Sequence, residues 1–165
     1  MRVADVLNWH SGRLPRKTTD WLIVHCSATQ ASADVGAAEI HQWHLKKGWK
    51  GIGYHFVIKR NGDIERGEAL ENMGSHVLGF NHNSVGVCMA GGLNKQGTAE
   101  NNFTHAQFGA LTTLLHYLHQ TFPKAVVRGH RDFSPDLNKD GVITKNEYMK
   151  DCPCFDVGPW WEIVK

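Results

Sequence analysis

At 165 residues the chain is long enough for one self-sufficient core and too short for two ordinary domains. Apolar residues at 41% and charged residues at 21% describe a globular protein rather than a disordered one. A formal net charge of +2 gives no argument for nucleic acid, although Arg2, Arg13, Arg16 and Lys17 are locally basic, and no apolar stretch is long enough for stable membrane association.

Residues 1–19 carry glycine and proline punctuation and little periodicity, and read as an N-terminal arm laid over a domain spanning 20–165. The opening MRVADVLNWHSG lacks the apolar segment of a secretory signal, so a cytoplasmic chain is expected. Residues 21–25 form a short apolar run that suits a central strand presenting His25 at its end. Over 34–48, Val35, Ala38, Ile40, Trp43 and Leu45 among polar residues suit an amphipathic helix stopping at Gly48. Residues 54–59 and 64–66 flank the hairpin signal Asn61-Gly62. Residues 84–90 read as another buried strand, ending in Gly91-Gly92.

The clearest helix covers 104–120. Thr104 can cap its start with Gln107 completing a capping box, and Phe108, Leu111, Leu115 and Leu118 form one apolar stripe. Residues 125–127 make a short strand delivering Arg128-Gly129-His130, and Trp160-Trp161 belong to a small terminal helix. Strands interleaved with helices predict an α/β fold, a single domain with a mixed central sheet flanked by helices.

Eleven histidines and four cysteines are the chemistry-bearing surplus. His25 and His130 each end a predicted strand, and Cys152 and Cys154 both lie in KDCPCFDV. Two imidazoles and one thiolate make a donor set that zinc accepts while keeping a fourth position open, as in a hydrolase. The residues lie too far apart in the chain for a compact zinc-finger pattern, and either cysteine could be the third ligand. Cys26 should face the opposite side of its strand from His25 and pack in the core, and His55 should face away from Tyr54. His41 and His44 lack a third partner and read as surface or interlayer residues.

VHCSAT at 24–29, GWKGIGYHFVIKRNG at 48–62, GSHVLGFNHNSVGVCMAGG at 74–92, Phe103-Thr104, RGH and KDCPCFD together resemble the type 2 N-acetylmuramoyl-L-alanine amidases. They are most similar to the zinc-dependent phage lysozyme-amidases, relatives of the peptidoglycan-recognition proteins. The resemblance covers roughly residues 21–161. It implies a type 2 amidase-like fold, zinc held by His25, His130 and Cys152, Tyr54 as a catalytic residue beside the metal, and Lys150 as an electrostatic catalyst. The family register of lysine, one residue, then Cys-Pro-x-Phe-Asp selects Cys152 over Cys154. The resemblance places His76 near the substrate groove, where it could bond the stem peptide, and a structural imidazole is the alternative reading.

The implied activity is hydrolysis of the bond between N-acetylmuramic acid and L-alanine in bacterial peptidoglycan. A monomeric phage or prophage endolysin would accumulate in the host bacterial cytoplasm and reach the wall after membrane permeabilisation. The rival readings are a non-catalytic peptidoglycan-binding protein and a recycling amidase acting on soluble muropeptides. The connection between His130 and Lys150 is longer than in the compact phage enzymes. Within it, residues 136–147 fit an EF-hand-like calcium loop, with Asp136, Asn138, Asp140, the Val142 carbonyl and Glu147 as oxygen ligands and Gly141 at the sharp turn. Calcium is therefore expected as a second ion beside zinc, ordering the segment that carries Lys150 and Cys152.

Overall fold

The apolar run WLIVHC forms β2 (Trp21–Cys26), which is buried from Leu22 to Cys26 and lies inside a six-stranded sheet. The computed structural model describes the whole chain, Met1–Lys165. The other sheet strands are β1 (Val3–Ala4), β4 (Phe56–Ile58), β5 (Ile64–Arg66), β6 (Ser84–Met89) and β8 (Val126–Gly129), in the order β1-β5-β4-β6-β2-β8. Only the β4–β5 pair is antiparallel, closed by the expected turn with Gly62 at φ +90. A two-stranded ribbon, β3 (Thr29–Gln30) with β7 (Gly92–Leu93), continues the parallel β2–β6 pairing beyond the sheet.

Strands buried on both faces need cover on both, which explains their unbroken apolar character. On one face α2 (His105–Thr121) and α3 (Val157–Val164) pack against the sheet in a core that includes Leu22, Val24, Val87, Leu111, Leu115 and Trp161. The opposite face carries α1 (Ala37–Lys46) over a smaller core of Val35, Ala37, Ile40, Ile52, Val57, Cys88 and Ala90. These layers form the expected α/β domain.

Helix α2 starts with the capping box read from sequence: Thr104 Oγ1 accepts from the Gln107 backbone N–H, and Gln107 Oε1 accepts from the Thr104 N–H. Gln107 does more than cap. Its fully buried amide also accepts from Arg60 and donates to the carbonyls of Ile58 and Ala90, tying the helix to the ends of β4 and β6.

Helix α1 departs from the expected face. Ala37, Ile40, His41 and His44 point inward, whereas Trp43 and Leu45 are exposed. The reason is backbone satisfaction: His41 Nδ1 accepts from the Ile52 N–H and His44 Nδ1 from the Gly53 N–H, two donors that burial would otherwise leave unpaired. The arm is also more than a covering. It supplies β1, parallel to β5, and Arg13, which pairs with Glu68 at 2.6 Å and donates to the carbonyls of Gly51 and Ile52.

His55 is fully buried, with Nδ1 accepting from Gly86 N–H and Nε2 facing the Asn72 carbonyl. Burial pushes the His44 and His55 imidazoles down to about 4 from 6.5. Unfolding restores the ordinary value, so the unfolded chain binds more protons between these limits. The metal-free protein should therefore lose stability as pH falls from about 6.5 toward about 4, with little further loss from these groups below that. Thermal denaturation in chelator across this range checks the sign; a melting temperature that rises on acidification contradicts it.

Candidate metal centre

Three donor atoms from distant parts of the chain converge at the C-terminal ends of β2 and β8. His25 Nδ1 and His130 Nδ1 lie 3.2 Å apart. Cys152 joins them in a group whose ligand atoms all lie within 4.8 Å of one another, and no other group of histidine, cysteine or carboxylate side chains converges in this way. His25 is 1% exposed, while His130 and Cys152 are half-buried and open the cluster toward solvent.

Sheet register brings the histidines together. Val24 pairs with Gly129 across β2 and β8, so the residue following each, His25 and His130, emerges at the same edge. Gly129 is needed for the third donor of the group: a Cβ there would meet Pro153 Cδ at 2.9 Å, so glycine lets the Cys152-Pro153 segment lie against β8. The backbone then fastens Cys152. Its carbonyl accepts from Arg131 N–H at 2.9 Å, and its sulfur accepts from Cys26 N–H at 3.2 Å.

The thiol of Cys26 is buried in the core side of β2, as the alternation predicted, with its sulfur 4.0 Å from that of Cys154. Cys154 donates toward the Gly92 carbonyl and stays outside the converged group. Tyr54 stacks beside the site, its ring 5.0 Å from that of His25 and 5.7 Å from that of His44. The backbone at Gly53, immediately before Tyr54, is held by His44. Sequence reasoning missed this support because a helical histidine on an apolar face gives no sign of what it accepts from.

Burial drives the His25 imidazole well below 6.5, with the neighbouring His76, His130 and Lys150 charges adding to the effect. Burial and then Lys150 bring His130 down to about 4. Both rings are thus neutral at physiological pH, the form that can ligate a metal. The Tyr54 phenol is pushed well above 10 by burial first and then by the thiols of Cys88, Cys152 and Cys26, so it remains an O–H donor. Lys150 is exposed and close enough for its charge to act on both histidines.

Other expected residues sit differently. His76 spends both ring nitrogens inside the protein, Nδ1 at 2.9 Å from His25 Nε2 and Nε2 at 3.3 Å from Ser84 Oγ. Both nitrogens thus have partners within the protein, as the structural alternative for His76 requires. In the 136–147 loop, Gly141 takes φ +83 and donates to Asp136, while Asn138 and Asp140 accept from Asp140 and Val142 N–H groups. Glu147 turns its oxygens onto the N–H groups of Leu137, Asn138 and Thr144. Asp136, Asp140 and Glu147 do not form a second converged group. These hydrogen bonds hold the loop in its turn, while the buried Asp136 Oδ1 has no hydrogen-bond partner.

Comparison with known proteins bears on the same residues. Residues 15–154 match the family Amidase_2, N-acetylmuramoyl-L-alanine amidase. The chain is 46% identical over 145 residues to an endolysin of Enterobacteria phage K11, covering 88% of this chain and 87% of that one. Among solved structures, the N-acetylmuramoyl-L-alanine amidase LysC from Clostridium intestinale URNW superposes with a TM-score of 0.74 at 24% identity, covering 99% and 95% of the two chains. Bumblebee PGRP-SA shares the fold at a TM-score of 0.73 and 17% identity, covering 98% and 93%.

The support beneath Tyr54 is testable by stability alone. His44→Leu should leave Gly53 N–H buried and unpaired and cost about 1–3 kcal/mol in urea denaturation of the metal-free protein. His44→Asn, whose side-chain oxygen can stand near the lost nitrogen, should recover part of that loss. Equal stability of His44→Leu and the parent would show that the hydrogen bond contributes nothing.

Proposed function

Given that the chain belongs to the Amidase_2 family of N-acetylmuramoyl-L-alanine amidases, and so is an enzyme that hydrolyses the amide bond of peptidoglycan, we propose that His25, His130 and Cys152 hold a catalytic zinc ion beside Tyr54 and Lys150. The observation that carries this reading is the pair of histidine Nδ1 atoms at 3.2 Å with a cysteine sulfur beside them. Two nitrogens sharing a tetrahedral zinc at roughly 2.0–2.1 Å would stand about 3.3 Å apart, so the donor set fits the ion in kind and in spacing. The half-buried side of the cluster leaves room for a fourth ligand, as a catalytic site requires.

Zinc held by these three residues would supply Lewis acidity for the scissile carbonyl and for a water nucleophile near neutral pH. The protein's own groups handle the charge and protons. Attack on the amide carbon puts negative charge on the former carbonyl oxygen, and the Lys150 ammonium neutralises it as it develops. The Tyr54 O–H donates a hydrogen bond to the same reacting region and keeps its proton. Collapse of the tetrahedral carbon breaks the C–N bond, and the departing nitrogen takes the proton given up by the attacking water to become the free amine of L-alanine, while the water's oxygen stays on the new carboxylate.

The substrate bond proposed is the one between N-acetylmuramic acid and L-alanine in intact wall. Similarity to a phage endolysin along most of both chains favours wall lysis over the trimming of soluble muropeptides. No helix is long and apolar enough to cross a membrane. We place the enzyme in the host cytoplasm, as a monomer that meets the wall once the membrane has been breached.

Purified sacculi provide the test: turbidity should fall and alanine amino groups should appear without new reducing sugar ends. His25→Ala, His130→Ala and Cys152→Ala should each lose zinc and at least about a hundredfold in rate, on the order of 3 kcal/mol of barrier. Full activity with stoichiometric zinc in Cys152→Ala would overturn the ligand set and make Cys154 the next candidate. Lys150→Ala and Tyr54→Phe should retain zinc and lose roughly 10²-fold in kcat, because their interactions strengthen in the transition state. A change confined to KM would move both residues from catalysis to binding.

A further inference from the structure

Behind the converged ligands runs a line of hydrogen bonds whose polarity is fixed at its far end. Ser84 is fully buried, and its hydroxyl lies 2.7 Å from the Phe80 carbonyl oxygen. A carbonyl only accepts, so Ser84 donates its one proton there. Toward His76 Nε2, at 3.3 Å, Ser84 Oγ can then only accept, which requires His76 to carry its proton on Nε2. A neutral His76 with Nε2–H has a bare Nδ1, and that atom faces His25 Nε2 at 2.9 Å. His25 must therefore carry its proton on Nε2 and present a bare Nδ1 to His130 and Cys152.

We propose that Ser84 and His76 are positioning residues for the metal centre: the relay Phe80 carbonyl, Ser84, His76, His25 locks the His25 tautomer and ring angle so that its Nδ1 lone pair points at the metal. The inference rests on the proposed role of His25 as a ligand and extends it to two residues outside the converged donor group. In this role His76 raises the basicity of the ligand imidazole and removes the competing tautomer, in which a proton would occupy the ligating nitrogen.

The surroundings of His76 are built for this placement. A Cβ on Gly86 would meet His76 Cγ, Nδ1 and Cδ2 at 2.7–2.8 Å, so the ring lies against bare backbone of β6. A Cβ on Gly74 would likewise meet His76 Cδ2 at 2.7 Å. The His76 backbone is fixed separately, since Asn81 Oδ1 accepts from the N–H groups of His76 and Val77 at 2.8 and 3.0 Å. Ser84 lies at the start of β6, the strand paired with β2, so relay and ligand share one rigid frame. The ring is thus located by shape, its backbone by Asn81, and its proton by Ser84.

The experiment measures zinc affinity of the full-length, metal-stripped protein by competition with a chromophoric chelator, with circular dichroism and metal-free melting as folding controls. His76→Leu fills similar space without an acceptor and should bind zinc about 10- to 100-fold more weakly. His76→Asn can set its side-chain oxygen where Nδ1 stood and should stay within a few-fold of the parent. Ser84→Ala keeps the ring but frees its tautomer, and should fall between the two; it also serves if His76→Leu does not fold. Long-range proton–nitrogen spectra of the metal-free parent should find His25 protonated at Nε2.

Unchanged zinc affinity in His76→Leu, or in Ser84→Ala where only that variant folds, overturns the relay. Equal weakening in His76→Leu and His76→Asn also overturns it, because ring packing rather than hydrogen bonding would then matter. His25→Ala separates the two levels of the argument. Retention of tight zinc by that variant defeats the metal assignment itself, whereas loss of zinc there with a normal His76→Leu defeats only the relay.

Discussion

The double pairing of β2 is the constraint on which the site depends. Flanked by β6 on one edge and β8 on the other, this strand can slide in neither direction without breaking two parallel ladders. A one-residue slip would also exchange its faces, sending His25 into the larger core and Cys26 out toward the ligands. Register therefore fixes which side chain of the His25-Cys26 pair reaches the metal centre. Because β8 ends in register with β2, the same pairing sets His130, and Cys152 follows through its bonds to Arg131 and Cys26. Only the last ligand reaches the site on irregular backbone, and that backbone is tied to the other two.

Burial then gives the candidate ligands their chemistry. An imidazole inside the protein is disfavoured as a cation, so His25 and His130 stay neutral without a base to remove their protons. The same low polarity keeps the Tyr54 phenol protonated. One environmental property thus prepares two candidate metal ligands and one donor of a hydrogen bond. The accompanying cost appears as pH sensitivity elsewhere, since His44 and His55 are buried neutral for structural reasons and use their nitrogens to satisfy backbone N–H groups.

The sequence was most legible where local physics decides. Apolar runs located β2, β4, β6 and β8, and Thr104 with Gln107 located the start of α2 to within a residue. It was least legible where a polar side chain serves a distant backbone. Hydropathy turned α1 toward Trp43 and Leu45, whereas His41 and His44 face inward because Ile52 and Gly53 need acceptors. β1 has two residues and carries no periodic signal. At the site, donor types could be read from the chain, but their meeting depends on the non-sequential order β6-β2-β8, and family resemblance had to select among the cysteines. The contact of His76 with His25 depends on bare backbone at Gly86, a requirement that composition does not reveal. The 136–147 motif was visible residue by residue; its side chains bond the loop's own backbone, with Asp136 Oδ1 left without a partner.

The same loop bears on the role proposed for Lys150. An exposed ammonium beside a cationic centre would be repelled if only its flexible stem determined its place. Its backbone neighbours are instead anchored: Met149 N–H donates to Ser134 Oγ at 3.1 Å, and the Cys152 carbonyl accepts from Arg131. Glu147 closes the loop just upstream through its three backbone acceptances. Lys150 is also absent from the ion pairs of the chain, although Arg131 nearby is paired with Asp156. A carboxylate partner would cancel much of its field before any reaction began. Held by backbone and left unpaired, the charge remains available to the oxygen that becomes anionic in the proposed reaction, which is where a fixed cation gives differential stabilisation.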